Sequence, residues 1–221
     1  MEPWFVKTLF FQALYILLRS AGWMGWNFFL AVIPFVLSLV LFRQTLKQRH
    51  RSLLWWLGVA VFVAFLPNAP YILTDIIHFV RHVQQGASIW LITLVLVPLY
   101  VVFLTAGFEA YMLSLMNVES YLHRHGLVRY APPIVMALHG LSAIGIYLGR
   151  FLRFNSWDLV TRLHAVVGSV ARDLTETEAI IAMVVTFTVL AGLYALAKPL
   201  NLALFTYLKR RKLKRPRLLE G

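Results

Sequence analysis

Three groups of residues in this 221-residue chain have the types and spacing to do chemistry. Asp75, His78 and His82 stand at i, i+3 and i+7, so a helix would present all three on one face. His78 and His82 are four apart, a spacing at which two imidazoles chelate one metal, with Asp75 as a third ligand or orienting group. Without a metal, Asp75 and His78 make an acid/base pair, and with neither role the three are a solvated polar face. Arg150 and Arg153 lie one turn apart, where two guanidinium groups can fork onto a carboxylate or phosphate. Tyr147, Asn155, Trp157 and Asp158 crowd the same short stretch, and the plainer reading is a helix end anchored at lipid head groups. Glu109 is a carboxylate well inside an apolar run, expensive there unless paired, protonated or wet. His139 falls at a similar depth on the next apolar run, so a Glu109–His139 contact is expected, either handling protons or joining two helices.

The elements that must position these residues are membrane helices. Hydrophobic residues make up 60% of the chain and charged residues 14%, and the mean hydropathy is +0.74, which points to lipid rather than water as the solvent. There is no cysteine, which excludes disulfides, thiolate metal sites, iron–sulfur clusters and a cysteine nucleophile. No GxSxG, HExxH or phosphate-cradling glycine loop is present, and no cofactor is called for. The net charge of +12 would suggest nucleic acid in a soluble protein. Much of it lies in a tail from Lys209 to Arg217 that directly follows an apolar run, which reads instead as an anchor to anionic lipid.

Six apolar segments can be drawn, about Trp4–Leu18, Phe28–Phe42, Leu53–Leu66, Ile89–Met116, Ile134–Leu152 and one from Ala179 to Lys198-Pro199. The expected fold is all-α, with about six transmembrane helices in a single domain over residues 1–208 and a disordered basic tail over 209–221. Arg43, Lys47, Arg49, Arg51, Arg124, Arg129 and the tail outweigh the cations of the alternate connections, which places them in the cytoplasm and Asp75 and Asp158 outside. Tyr71–Gln85 and Trp157–Asp173 carry apolar residues at helical spacing and are expected as two amphipathic helices in the outer interface. Between them and the bundle, Pro67-Asn68-Ala69-Pro70 removes two amide donors and frees carbonyls that need cover, so this break is expected to line a wet pocket, with Asn68 serving the freed groups.

Two stretches carry a family resemblance. Leu66-Pro67-Asn68-Ala69-Pro70-Tyr71-Ile72-Leu73-Thr74-Asp75 with His78, and Tyr147-Leu148-Gly149-Arg150-Phe151 with Arg153, Asn155, Ser156, Trp157 and Asp158, resemble the hallmark segments of a bacterial membrane-protein family known as domain of unknown function 1361. The resemblance implies a multi-pass protein of the bacterial cytoplasmic membrane. It also implies that Asn68, Pro70, Tyr71, Asp75, His78, Tyr147, Arg150, Arg153, Asn155, Trp157 and Asp158 matter; His82 lies outside the pattern.

Three functions stay open at this level. The chain could bind or transport a small or lipid-linked anionic group in an outward-facing pocket lined by Asn68, Asp75, His78, Tyr147 and Arg150. It could be a membrane enzyme acting on a lipid-linked substrate through Asp75 and His78. It could be a structural subunit whose polar motifs set helix packing. The lipid bilayer is the expected partner in each case, and nucleic acid is not.

Overall fold

The computed structural model describes residues 3–43, 52–154, 156–173 and 175–214, and among them the secondary structure is helical. Trp4–Leu18 and Phe28–Phe42 are not two segments but one helix, α1 (Pro3–Ser38), which ends in a π turn over Leu39–Arg43. The intervening Arg19–Asn27 contains no proline, and its glycines and serine lower helix propensity without breaking the ladder. Ser20, Met24, Ala31, Pro34 and Ser38 form one buried stripe at spacings of three, four and seven residues, and tertiary packing along that stripe holds the run straight through Pro34.

The other elements follow in order: α2 (Leu53–Phe65), α3 (Asn68–Tyr71), a 3-10 turn (Ile72–Asp75), α4 (Ile76–Gln84), α5 (Ile89–Leu91), a π turn (Ile92–Leu96), α6 (Val97–Arg124), a 3-10 turn (Val128–Tyr130), α7 (Ala131–Arg150), α8 (Asp158–Thr161), α9 (Leu163–Asp173) and α10 (Thr177–Lys214). Among the described residues five runs are long and apolar enough to cross a membrane: Val6–Arg43, Leu53–Gln84, Ile89–Arg124, Val128–Arg150 and Thr177–Arg211. The chain is an all-α, multi-pass membrane protein. Large apolar side chains such as Leu53, Val102, Leu196 and Leu200 stand mostly exposed around the bundle, a surface that a bilayer covers and water would not.

α1 and α6 form the central pair, with α2 and α3 against α1 and with α7 between α6 and α10. The run from α2 to α4 follows α1 in the opposite direction: Trp55 donates to the Leu41 carbonyl, Asp75 meets Asn27, and His78 lies on Trp23. α4 thus continues along α1 beyond the double-proline break. α10 passes through Pro199 without ending and crosses the expected boundary at 208 as a helix up to Lys214. Residues 44–51, with Lys47, Arg49 and Arg51, and residues 215–221, with Arg215 and Arg217, lie outside the described residues.

Candidate functional site

The break between α2 and α4 is gripped from both sides by glycine. A Cβ on Gly145 of α7 would stand 2.5 Å from Pro67, and one on Gly107 of α6 would stand 2.7 Å from Ile72. Only a residue without a side chain lets α6 and α7 approach the irregular backbone this closely. Asn68 serves a carbonyl at the end of α2 that the break leaves without its helical donor, donating through Nδ2 to the Phe65 carbonyl at 2.9 Å, and it donates also to Ser156 Oγ at 2.7 Å. That second bond joins the two motif segments across 88 positions of sequence.

Asp75 is 1% exposed, and polar side chains from three elements meet on it. Asn27 of α1 donates to Oδ2 at 2.8 Å, Arg150 of α7 brings its guanidinium to 3.7 Å from Oδ1, and His78 Nε2 stands 4.0 Å from the same oxygen. Arg150 also donates to the Thr74 carbonyl at 3.1 Å and lies over the Tyr71 ring at 5.9 Å. A carboxylate so deeply buried is stable only with a cation and a hydrogen bond in place, and here α7 supplies the cation and α1 the hydrogen bond. The Asp75–Arg150 contact expected between the two motifs is present.

The remaining members go elsewhere. Tyr147 donates to Asp173 Oδ2 of α9 at 3.1 Å and stacks on Phe151. Asp158 is buried beside Arg162 at 3.9 Å and Thr161 at 3.5 Å, both on its own side of the loop. Asn155 lies outside the described residues. Arg153 is exposed and, among the described residues, makes no hydrogen bond or ion pair. Its φ of 59° is a left-handed conformation that disfavours any residue with a Cβ. Among the described residues no three acidic or histidine side chains come together as metal ligands, so the alternative built on Asp75, His78 and His82 is not assembled.

A cleft of about 1060 Å³ opens between α1, α2, α7 and α9. Its walls are apolar, with Leu30, Ala64, Leu141 and Val167 among them. Its polar groups gather at the motif segments: Asn27, Asn68, Tyr71, Arg153, Ser156 and Trp157. This lining differs from the expected one. Of Asn68, Asp75, His78, Tyr147 and Arg150, only Asn68 faces the cleft. The reason is the pairing just described: Asp75 and Arg150 neutralise one another inside the bundle, His78 packs on Trp23, and Tyr147 turns to α9.

The expected Glu109–His139 contact is replaced by two others. Glu109 accepts from Asn201 Nδ2 of α10 at 3.2 Å. His139, fully buried, pairs through Nδ1 with the Tyr111 hydroxyl at 2.8 Å, and its Nε2 has no hydrogen-bond partner. Nearby, Lys198 of α10 forms an ion pair with Glu119 of α6 at 2.6 Å. Neither Asn27, Tyr111 nor Glu119 was singled out by the sequence. A polar residue flanked by Trp26 and Phe28 inside an apolar run was the available signal for Asn27.

The family described as "Protein of unknown function (DUF1361)" matches residues 26–191, a stretch that holds both motif segments, the cleft and the Asp75 centre. Neither a curated protein nor a solved structure matches the chain.

Proposed function

This chain belongs to the DUF1361 family, and from that premise we propose that it binds a lipid-linked anion at the outer face of the bacterial cytoplasmic membrane, for transport or presentation. The apolar cleft takes the lipid chain, and Arg153 takes the anionic head, helped by a hydrogen bond from the Ser156 hydroxyl, which Asn68 orients, and by the Trp157 ring. One observation carries this reading: a cleft of about 1060 Å³ with lipid-compatible walls has an uncommitted guanidinium held at its rim in a strained backbone conformation. Strain of that kind persists where surrounding structure over-determines it, and among the described residues the side chain it aims makes no hydrogen bond or ion pair. Membrane orientation follows from the cations: Arg124 donates to the Phe42 carbonyl and shares a cavity with Arg43, Lys209 and Arg211, so these basic ends lie at one end of the bundle, which we assign to the cytoplasm. On this assignment α4 and α9 sit toward the outer interface, and residues 1–208 act as one domain.

The acid/base reading of Asp75 and His78 has less behind it. A carboxylate that is 1% exposed, held by Asn27 and Arg150 and absent from the cleft wall, is built to join elements rather than to meet substrate.

Mass spectrometry of lipids that co-purify with the detergent-extracted protein tests the proposal. Counted as bound anionic lipid per chain, the natural protein is expected to carry a cleft lipid that is lost with Arg153→Gln, and with Ala64→Trp, which fills the apolar wall, while lipid held elsewhere on the bundle stays. Equal retention by all three proteins, each folded by size-exclusion chromatography, refutes it.

A further inference from the structure

The opposite end of the bundle contains a second cavity, about 940 Å³, where α1, α6 and α10 meet. We infer that it is a built binding site for an anionic phospholipid, with the phosphate at Arg43, Arg124, Lys209 and Arg211 and an acyl chain against α10.

Those four cations come from three elements that are remote in sequence, and all line this one cavity. Among the described residues none has an acidic partner within 4.0 Å; the nearest acid on α6 with an ion pair, Glu119, is taken by Lys198. Arg124 is fixed in place by donating to the Phe42 carbonyl in the π turn over Leu39–Arg43. The guanidinium groups of Arg43 and Arg124 suit the planar, bidentate geometry of a phosphate, and Ser120 and Asn117 add neutral donors beside them. Asn117 is itself oriented by its bond to Ser38 Oγ at 2.9 Å.

The walls decide which anion fits. Phe35, Leu113, Leu202, Phe205 and Leu208 give the cavity an apolar side, and Leu200 and Leu204 of the same helix stand exposed where lipid tails lie. A free phosphate or a nucleotide has no use for that side. A phospholipid matches both parts, with its charge at the basic rim and its chain along α10. Lipid recognition is therefore not spread over the whole basic stretch from Lys209 to Arg217, as composition alone suggests, but is centred on a cavity that joins its first cations, Lys209 and Arg211, to Arg43 and Arg124.

Native mass spectrometry of the full chain in detergent, with added phosphatidylglycerol or phosphatidylcholine, reads the site. About a tenfold preference for phosphatidylglycerol is expected, with loss of that preference in R43Q/R124Q/K209Q/R211Q. Because Arg124 also serves Phe42, R43Q/K209Q/R211Q is the second variant and should lose most of the preference while keeping that bond. R129Q/R210Q removes two cations from the same end but not from the cavity lining, and should leave the preference intact. Truncation after Arg211 should leave it intact as well. The inference fails if the triple and quadruple variants still prefer phosphatidylglycerol, if truncation alone abolishes the preference, or if excess inorganic phosphate displaces the lipid.

Discussion

The Asp75 and His139 centres solve the same problem, a polar side chain with no access to water, in opposite ways. Asp75 is answered by a cation and an amide from two other helices, and every partner is drawn from a different stretch of chain. His139 is answered by one neutral hydroxyl, and among the described residues its Nε2 is left without a hydrogen-bond partner. The difference follows from charge. An ionised group taken out of water costs several kcal/mol unless it is paired, whereas a neutral polar atom left unbonded costs about 1–3 kcal/mol. The first centre must therefore organise the fold around itself. The second can be carried by a fold that other contacts hold together.

Removing the charge on one side separates these roles most sharply. Asp75→Ala leaves Arg150 without its counter-charge and Asn27 without its acceptor, and should cost about 3–5 kcal/mol, seen as loss of the monodisperse species on heating in detergent. Asp75→Ala with Arg150→Met should recover a large part of that loss. A double variant as unstable as the single one would show that the ion pair is not what joins the helices. A smaller effect, about 1–3 kcal/mol, is expected for Tyr111→Phe, which strips His139 Nδ1 of its partner without changing shape. Adding His139→Leu should return part of it, and a Tyr111→Phe melt lower than that of Asp75→Ala would reverse the comparison.

The two arginines of one motif supply the smallest and most discriminating test. Arg150 is committed to Asp75, and Arg153 has no such bond. Arg153→Gly relieves the left-handed backbone and should raise stability by up to about 1 kcal/mol. It should at the same time abolish retention of the anionic lipid in the cleft. Thermal melting and co-purified lipid then move in opposite directions, a pattern that a purely architectural arginine would not give.

The Asp75–Arg150 pair was legible in the sequence because opposite charges stood near the ends of segments that alternate crossings bring to one end of the bundle. Glu109 and His139 were matched correctly in kind of argument but not in face. Depth along antiparallel helices follows from counting residues, whereas the direction a side chain points depends on how each helix is rotated. Tyr111 lies two positions beyond Glu109, about 200° around the helix, and that is the side that meets α7. The cleft was hidden for a different reason. Its walls are ordinary apolar residues such as Leu30, Ala64, Leu141 and Val167, which carry no chemical signal alone and define a space only when four helices are assembled. The continuity of α1 was obscured because glycines were read as punctuation, although the stripe from Ser20 to Ser38 keeps one face across them.

The π turn over Ile92–Leu96, just ahead of α6, bears on how this family can vary in length. Such a turn is one surplus residue absorbed into a helix while the flanks keep their phase. Deleting a residue within it restores an ordinary ladder and leaves Tyr100, Phe103, Gly107 and Tyr111 pointing where they did. A deletion elsewhere between Val97 and Gly107 turns everything beyond it by about 100° and unseats Gly107 from Ile72. Indels that survive in this crossing should therefore collect at the π turn.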